Sequence, residues 1–120
     1  MILTKQQVAA VGDRPPVTVD VPAPELGEGA VLRLKRLRVP EYKAFTEAAT
    51  DRTGDRAITR ADGLFSERLI QACAVDAEGQ PVIEDLAVIA RWDASLYVRV
   101  ANAALKLNGL NETDEDAAKN

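Results

Sequence analysis

The stretch VTVDV at residues 17–21, followed by AVLRLK at residues 30–35, decides the fold class of this chain. Both stretches alternate apolar and polar side chains, and this alternation is typical of half-buried β-strands. The residues between them are rich in proline and glycine and predict a loop. The sequence therefore predicts an antiparallel β-hairpin over residues 17–38, with a bulge or strand end near Lys35, where the alternation changes phase.

The residues before the hairpin predict a short helix within residues 1–12. Thr4 is placed to cap this helix, and Gln7, three residues later, completes a capping box. Leu3 and Val8 stand at the two positions of a hydrophobic staple. The hairpin is therefore predicted to follow a capped N-terminal helix.

After the hairpin the apolar spacing changes to that of helices, so residues 40–107 are predicted as a helical part. One predicted helix begins at Pro40, and the others cover residues 62–74, 84–91 and 94–107. The polar stretch 50–60 is interpreted as an exposed loop, and residues 76–81 as a turn. The sequence thus predicts an α+β fold, in which a small hairpin is followed by a mainly helical bundle of about four helices.

The longest predicted helix carries an apolar stripe and a distinctive end. The stripe consists of Leu96, Val100, Ala103 and Leu107. Gly109 can take the left-handed backbone conformation that stops a helix, and Leu110 can then fold back onto the last turn. Residues 108–120 are predicted as an acidic C-terminal tail.

The composition predicts one domain spanning residues 1–120, with enough apolar residues (47%) to form a core. No apolar run approaches the roughly 20 residues that a membrane-spanning helix needs, so no membrane partner is expected. The single cysteine, Cys73, lies among apolar neighbours and is interpreted as a buried structural thiol.

The chain contains no histidine. This absence excludes Ser-His-Asp and Cys-His catalysis and histidine-ligated zinc. Paired carboxylates act as general acid and base only where a pocket gives them different pKa values. The acidic residues of the tail lie at a chain end, where no such pocket is expected. We therefore expect no enzymatic activity, no cofactor and no metal site.

Charge is distributed unevenly along the chain. Residues 1–60 hold ten Lys and Arg against eight Asp and Glu, whereas residues 61–120 hold five against eleven. Such polarity favours self-association or docking on a charged partner. The only basic cluster consists of Arg33, Lys35, Arg36 and Arg38. Because it lacks interleaved aromatic residues, it is interpreted as a solvated strand face, with protein docking as the alternative, and nucleic-acid binding is not expected.

Three short segments resemble the tail assembly chaperones of long-tailed bacteriophages and prophages. The opening MILTKQQ of residues 1–7 is similar to the common start of these proteins. The turn VDAEGQPV of residues 75–82 resembles their V-D-E-x-G-x-P segment, with Ala77 as a departure. The segment ALKLNGL of residues 104–110 is similar to their A-x-x-L-N-G-L ending, and the acidic tail that closes with Lys119 and Asn120 is also typical.

The resemblance implies a protein that binds the tape measure protein, keeps it soluble and assists assembly of the tail tube. It implies synthesis in the cytoplasm of the bacterial host, several copies per tape measure protein, and absence from the mature virion. It further implies a longer form, made by a −1 ribosomal frameshift, that recruits tail tube subunits. Lys119 and Asn120 are compatible with a slippery codon run, and the codons themselves would test this. The alternative class is a structural virion component, such as a minor tail or head–tail joining protein.

Large side chains near the ends of the last helix are the candidate partner contacts. These are Trp92, Tyr97 and Leu110. Aromatic side chains dominate the binding energy of many interfaces, although Trp92 at a joint between helices also fits a core position. A groove between the helices at 62–74 and 94–107 is predicted to cover apolar stripes of the tape measure protein.

Overall fold

The computed structural model describes residues 1–53, 57–60 and 64–110, and for residues 49–53 and 57–60 it describes the backbone alone. The predicted acidic tail beyond Leu110 and the first two residues of the helix predicted at 62–74 lie outside the described residues. Where the chain is described, the predicted α+β fold is confirmed: a small antiparallel sheet is combined with helices.

The elements follow one another in the predicted order. Two features are additional: a second two-stranded hairpin, and a short third strand in the first sheet. The α-helices are α1 (Lys5–Ala10), α2 (Val39–Ala49), α3 (Phe65–Cys73) and α4 (Ala94–Leu107). The strands are β1 (Thr18–Pro22), β2 (Val31–Lys35), β3 (Thr50–Thr53), β4 (Ala57–Arg60) and β5 (Ala74–Val75). Short 3-10 helices cover Val11–Asp13, Pro24–Leu26 and Leu86–Arg91.

The predicted hairpin is formed by β1 and β2, which pair antiparallel with Val19 opposite Leu34 and Val21 opposite Leu32. The second strand ends at Lys35, as the change of phase predicts. A third strand, β5, pairs with the other edge of β2. The prediction of Ala74 as helical is wrong, because the helix stops at Cys73 and the chain turns into this two-residue strand.

The prediction of residues 50–60 as a loop is also wrong. β3 and β4 form a second antiparallel hairpin in this stretch, with Thr50 opposite Arg60 and Thr53 opposite Ala57. The stretch contains few apolar residues, so an alternation of apolar and polar side chains cannot mark its strands. Its β-branched threonines and Ile58 are the remaining strand signal.

The core lies where α3 and α4 pack against each other and against one face of the three-stranded sheet. Its fully buried large side chains are Leu34, Leu69, Ile70, Cys73, Leu96 and Val100. On α4 the buried stripe is rotated from the predicted one, because Ala101 and Ala104 are buried whereas Ala103 and Leu107 are partly exposed.

The end of α4 is fixed by a set of hydrogen bonds around Asn108. Its amide nitrogen donates to the Ala104 carbonyl (2.9 Å) and to the Cys73 sulfur (3.4 Å), and its amide oxygen accepts from the Leu37 backbone N–H (2.9 Å). Gly109 has φ +74°, the left-handed conformation that the sequence predicts for it. Leu110 packs against the core, which confirms that the chain folds back here.

The capping box of α1 is confirmed: the Thr4 side chain accepts from the Gln7 N–H (3.2 Å), and the Thr4 N–H donates to the Gln7 side chain (2.9 Å). This helix has no buried residue, and both staple residues, Leu3 and Val8, remain more than half exposed. The helix is therefore formed by local bonds, without a core of its own.

Candidate partner-binding surfaces

The groove predicted between the helices at 62–74 and 94–107 is largely absent. The apolar faces of α3 and α4 pack against each other, and their large apolar side chains are used in the core. The prediction treated two amphipathic helices as open to a partner, whereas each serves as the partner of the other. Within the described residues, an opening remains at one end of this interface.

That opening holds two of the three predicted contact residues. Trp92 and Tyr97 are both partly buried and line a recess of about 230 Å³. We call this the aromatic recess; it is lined by Glu67, Ile89, Ala90, Trp92, Ala94 and Tyr97. The Tyr97 hydroxyl donates to the Glu67 carboxylate (3.0 Å), which fixes the tyrosine ring at the recess. Trp92 thus both packs on the core and lines a surface opening.

Leu110 is not part of this opening. It follows the C-terminal end of α4, whereas the aromatic recess lies at the N-terminal end, about 20 Å away along the helix axis. Leu110 is partly buried against the core. Its place in the fold is that of the apolar residue that closes a helix end.

A second and larger opening lies between α2 and α3, and the sequence did not single it out. We call it the α2–α3 groove; its volume is about 460 Å³. It is lined by Lys35, Glu41, Ala44, Phe45, Ala48, Arg68, Gln71, Ala72, Pro81 and Ile83. Phe45 and Ile83 are buried and form its floor, whereas Ala44 and Ala48 are exposed along one wall. Ala44 and Ala48 lie four residues apart and therefore share one face of α2. This spacing is the feature of the sequence that indicates an open, small-residue face at the groove.

Polar groups at the rim of the α2–α3 groove are already engaged within the chain. The Lys35 ammonium pairs with the Glu41 carboxylate. The Gln71 amide nitrogen donates to the carbonyls of Ile83 (3.3 Å) and Glu84 (3.0 Å). Burial raises the pKa of Glu41, but the Arg38 backbone N–H and the Lys35 ammonium outweigh it, so the net pKa is lowered. The groove therefore offers an apolar floor, and three of its polar side chains, those of Lys35, Glu41 and Gln71, have partners within the chain.

The basic cluster does not form a single patch. Arg33 pairs with Asp20 (2.8 Å) and Lys35 with Glu41, so two of the four charges are neutralised. Arg36 donates to the Leu107 carbonyl (2.9 Å) at the end of α4. Arg38 donates to the carbonyls of Gly12 (3.4 Å) and Arg14. These side chains tie β1, α2, α4 and the N-terminal segment to β2 and to the residues that follow it.

One further ion pair fixes the loop between β1 and β2 on α4. The Arg99 guanidinium donates to both Glu25 carboxylate oxygens (3.0 and 2.9 Å) and to the Pro22 carbonyl (2.9 Å). The hydrogen bonds from Arg99 lower the pKa of Glu25 to about 2, with help from its own backbone N–H. This bidentate geometry is the stronger form of an arginine–carboxylate contact.

Cys73 is fully buried, as predicted, and burial raises the pKa of its thiol to about 11. Among the described residues no polar or charged side chain is buried, and no group of three or more Cys, Asp and Glu side chains is placed to hold a metal ion. In the same part of the chain, no helix combines the length and apolar character that crossing a membrane requires.

Comparisons of the chain with family models, with curated proteins and with solved structures find no match.

Proposed function

We propose that this protein is a non-enzymatic tail assembly chaperone that binds the tape measure protein of a long-tailed phage and keeps it soluble during assembly of the tail tube. The observation that carries the proposal is the α2–α3 groove. A groove with an apolar floor suits an amphipathic helix, which lays its apolar face into it. A tape measure protein is long and helical, so its exposed apolar stripes are ligands of this kind.

The composition of the groove favours a helix over a small polar molecule. Ligand sites for small molecules present a few convergent polar groups that fix the orientation of the ligand. Here Lys35, Glu41 and Gln71 are occupied by each other or by backbone carbonyls. Ala44 and Ala48 form an exposed wall without long side chains, so the backbone of a docked helix can come close to α2.

The three segments of the resemblance support the same class. All three have defined structural roles: Thr4 and Gln7 form the capping box of α1, residues 76–79 form a turn with Gly79 at φ +84°, and Asn108 and Gly109 fix the end of α4. In this proposal the protein acts in the host cytoplasm and leaves before the virion is complete. A frameshifted longer form would link the complex to tail tube subunits.

The test is co-expression of the tagged protein with the long helical protein encoded next to it. We expect a soluble complex, with the helical protein insoluble when it is expressed alone. Ala44→Arg, which places a long side chain in the α2–α3 groove, should abolish recovery of the complex. Ala87→Arg is the matched control, because Ala87 is also exposed but lies outside the groove. Loss of recovery with both variants, or with neither, would contradict the assignment of the groove.

The protein content of purified virions distinguishes a chaperone from a structural virion component. A chaperone is absent from finished virions, whereas a minor tail or head–tail joining protein remains in them. Detection of the chain in purified tails at a fixed number of copies, together with failure to bind the helical protein, would replace the chaperone proposal by the structural one.

A further inference from the structure

The N-terminal arm, residues 1–12, leaves all of its large apolar side chains more than half exposed. Ile2 is 95% exposed and Val8 58% exposed, and Leu3 and Val11 are also more than half exposed. Isolated helices shorter than about 12 residues are marginal in water, and their stability in proteins comes from packing of an apolar face. The six-residue helix of the arm has complete capping but no packing.

The aromatic recess is an open site elsewhere on the molecule whose size and lining match the apolar side chains of the arm. Its volume of about 230 Å³ is below the roughly 300–1,000 Å³ of small-molecule sites and suits aliphatic side chains instead. Trp92 and Tyr97 supply aromatic walls, which are common anchors at protein interfaces. Ile89, buried at 3% exposure, forms an apolar floor.

The charges of the two surfaces are complementary. Lys5 is the only charged side chain of the arm. Glu67 lines the recess, and Asp93 and Arg91 are the charged neighbours in sequence of its lining residue Trp92, so the surface carries two carboxylates and one guanidinium. The Asp93 carboxylate makes no capping bond to α4, although it precedes the helix. An arm that enters the recess therefore brings a cation to a surface with a net negative charge.

The root of the arm and the aromatic recess lie at opposite ends of α4. Arg38 holds the root of the arm at the Gly12 carbonyl, and its neighbour Arg36 is bonded to the Leu107 carbonyl at the C-terminal end of that helix. The recess contains Tyr97, about 15 Å from Leu107 along the helix axis. A contact between unlike surfaces at opposite ends of one molecule joins copies head to tail and does not close on a pair.

We infer that the protein self-associates head to tail, with the N-terminal arm of one copy docked in the aromatic recess of the next copy. Ile2, Leu3 and Val8 supply the aliphatic side chains, and Trp92 and Tyr97 receive them. Lys5 lies against the carboxylates around the recess. The inference does not depend on the chaperone proposal, since it concerns a different surface and needs no second protein.

The test uses the full chain and measures its mass by light scattering over a wide range of concentrations. We expect the mass of the wild-type protein to rise with concentration, without a plateau at the dimer. Ile2→Asp and Ala90→Arg should each raise the apparent Kd by at least about tenfold. Their controls are Val39→Asp, at an exposed valine outside the arm, and Ala87→Arg, at an exposed alanine outside the recess, and both should associate as wild type does.

Mixing the Ile2→Asp and Ala90→Arg variants tests the contact most specifically. The Ile2→Asp chain keeps an intact recess and the Ala90→Arg chain keeps an intact arm, so one productive contact remains between them. We expect a one-to-one dimer from the mixture and no larger species. Persistence of both variants as monomers after mixing would refute the arm-to-recess contact, as would a wild-type protein that stays monomeric at every concentration.

Trp92 is the only tryptophan and reports on the recess directly. In the head-to-tail contact its fluorescence should shift with concentration in the wild-type protein and stay constant in the Ile2→Asp variant. A difference between the two proteins that is independent of concentration would mean that the arm docks in the recess of its own chain, and this result would overturn the inference.

Discussion

Asn108 is the side chain whose loss should reveal how the end of α4 is held. Asn108→Ala removes the acceptor of the Leu37 N–H and the donor to the Ala104 carbonyl, both at 2.9 Å, and the weaker contact to the Cys73 sulfur. Leu37 is partly buried, so its N–H loses its partner where water has limited access. A donor left unsatisfied in this way costs about 1–3 kcal/mol.

We expect Asn108→Ala to lower the free energy of unfolding by about 2 kcal/mol. With a urea m-value of about 1–3 kcal/mol/M for a chain of this size, the unfolding midpoint should fall by roughly 1 M. The assay is urea denaturation followed by circular dichroism. Asn108→Asp should not restore the wild-type midpoint, because its carboxylate accepts from the Leu37 N–H but cannot donate to the Ala104 carbonyl and places negative charge at the C-terminal end of the helix.

Asn102→Ala is the matched control, because Asn102 is exposed on the same helix. Alanine is the better helix former by up to about 0.7 kcal/mol, so this variant should be slightly more stable than the wild-type protein. The two asparagine variants therefore shift the midpoint in opposite directions. Equal midpoints for Asn108→Ala and the wild-type protein would refute the role of Asn108 in fixing the helix end.

Two further predictions concern titration and reactivity. Because the pKa of Glu25 is lowered from its usual 4.5 to about 2 by Arg99, the stability from this pair is complete above the usual pKa and is lost as the pH falls through the lowered one. The difference in urea midpoint between wild type and Arg99→Met should therefore shrink from about pH 5 to about pH 2.5, and a constant difference would contradict the assignment. Burial raises the pKa of Cys73 from 9.0 to about 11, so at neutral pH its reaction with a disulfide reagent should be at least about 100-fold slower than in urea-unfolded protein. Similar reaction rates in the folded and the urea-unfolded protein would show that the Cys73 thiol is accessible to the reagent in the folded state.

Local signals in the sequence were sufficient for much of the fold. The capping box of Thr4 and Gln7 marks the start of α1, and the predicted bounds 94–107 coincide with α4. These features depend on residues within one helical turn of each other. A two-residue strand such as Ala74–Val75 has no period to detect, so its apolar residues resemble the end of the preceding helix.

The candidate surfaces were less predictable because they depend on which apolar faces are already covered. The sequence marks α3 and α4 as amphipathic but does not show that they cover each other. The α2–α3 groove arises from residues far apart in the chain, such as Ala44 and Ile83. Trp92 and Tyr97 were identified from their chemistry alone, and their shared recess became visible only with the packing of the helices.

Hydrogen exchange of this protein, free and in complex with the long helical protein encoded next to it, locates the bound surface directly. We expect binding to slow exchange in α2 and α3 along the α2–α3 groove. Exchange of the β1–β2 hairpin should change little. Protection confined to other surfaces, with α2 and α3 exchanging as they do in the free protein, would contradict the groove as the site of binding.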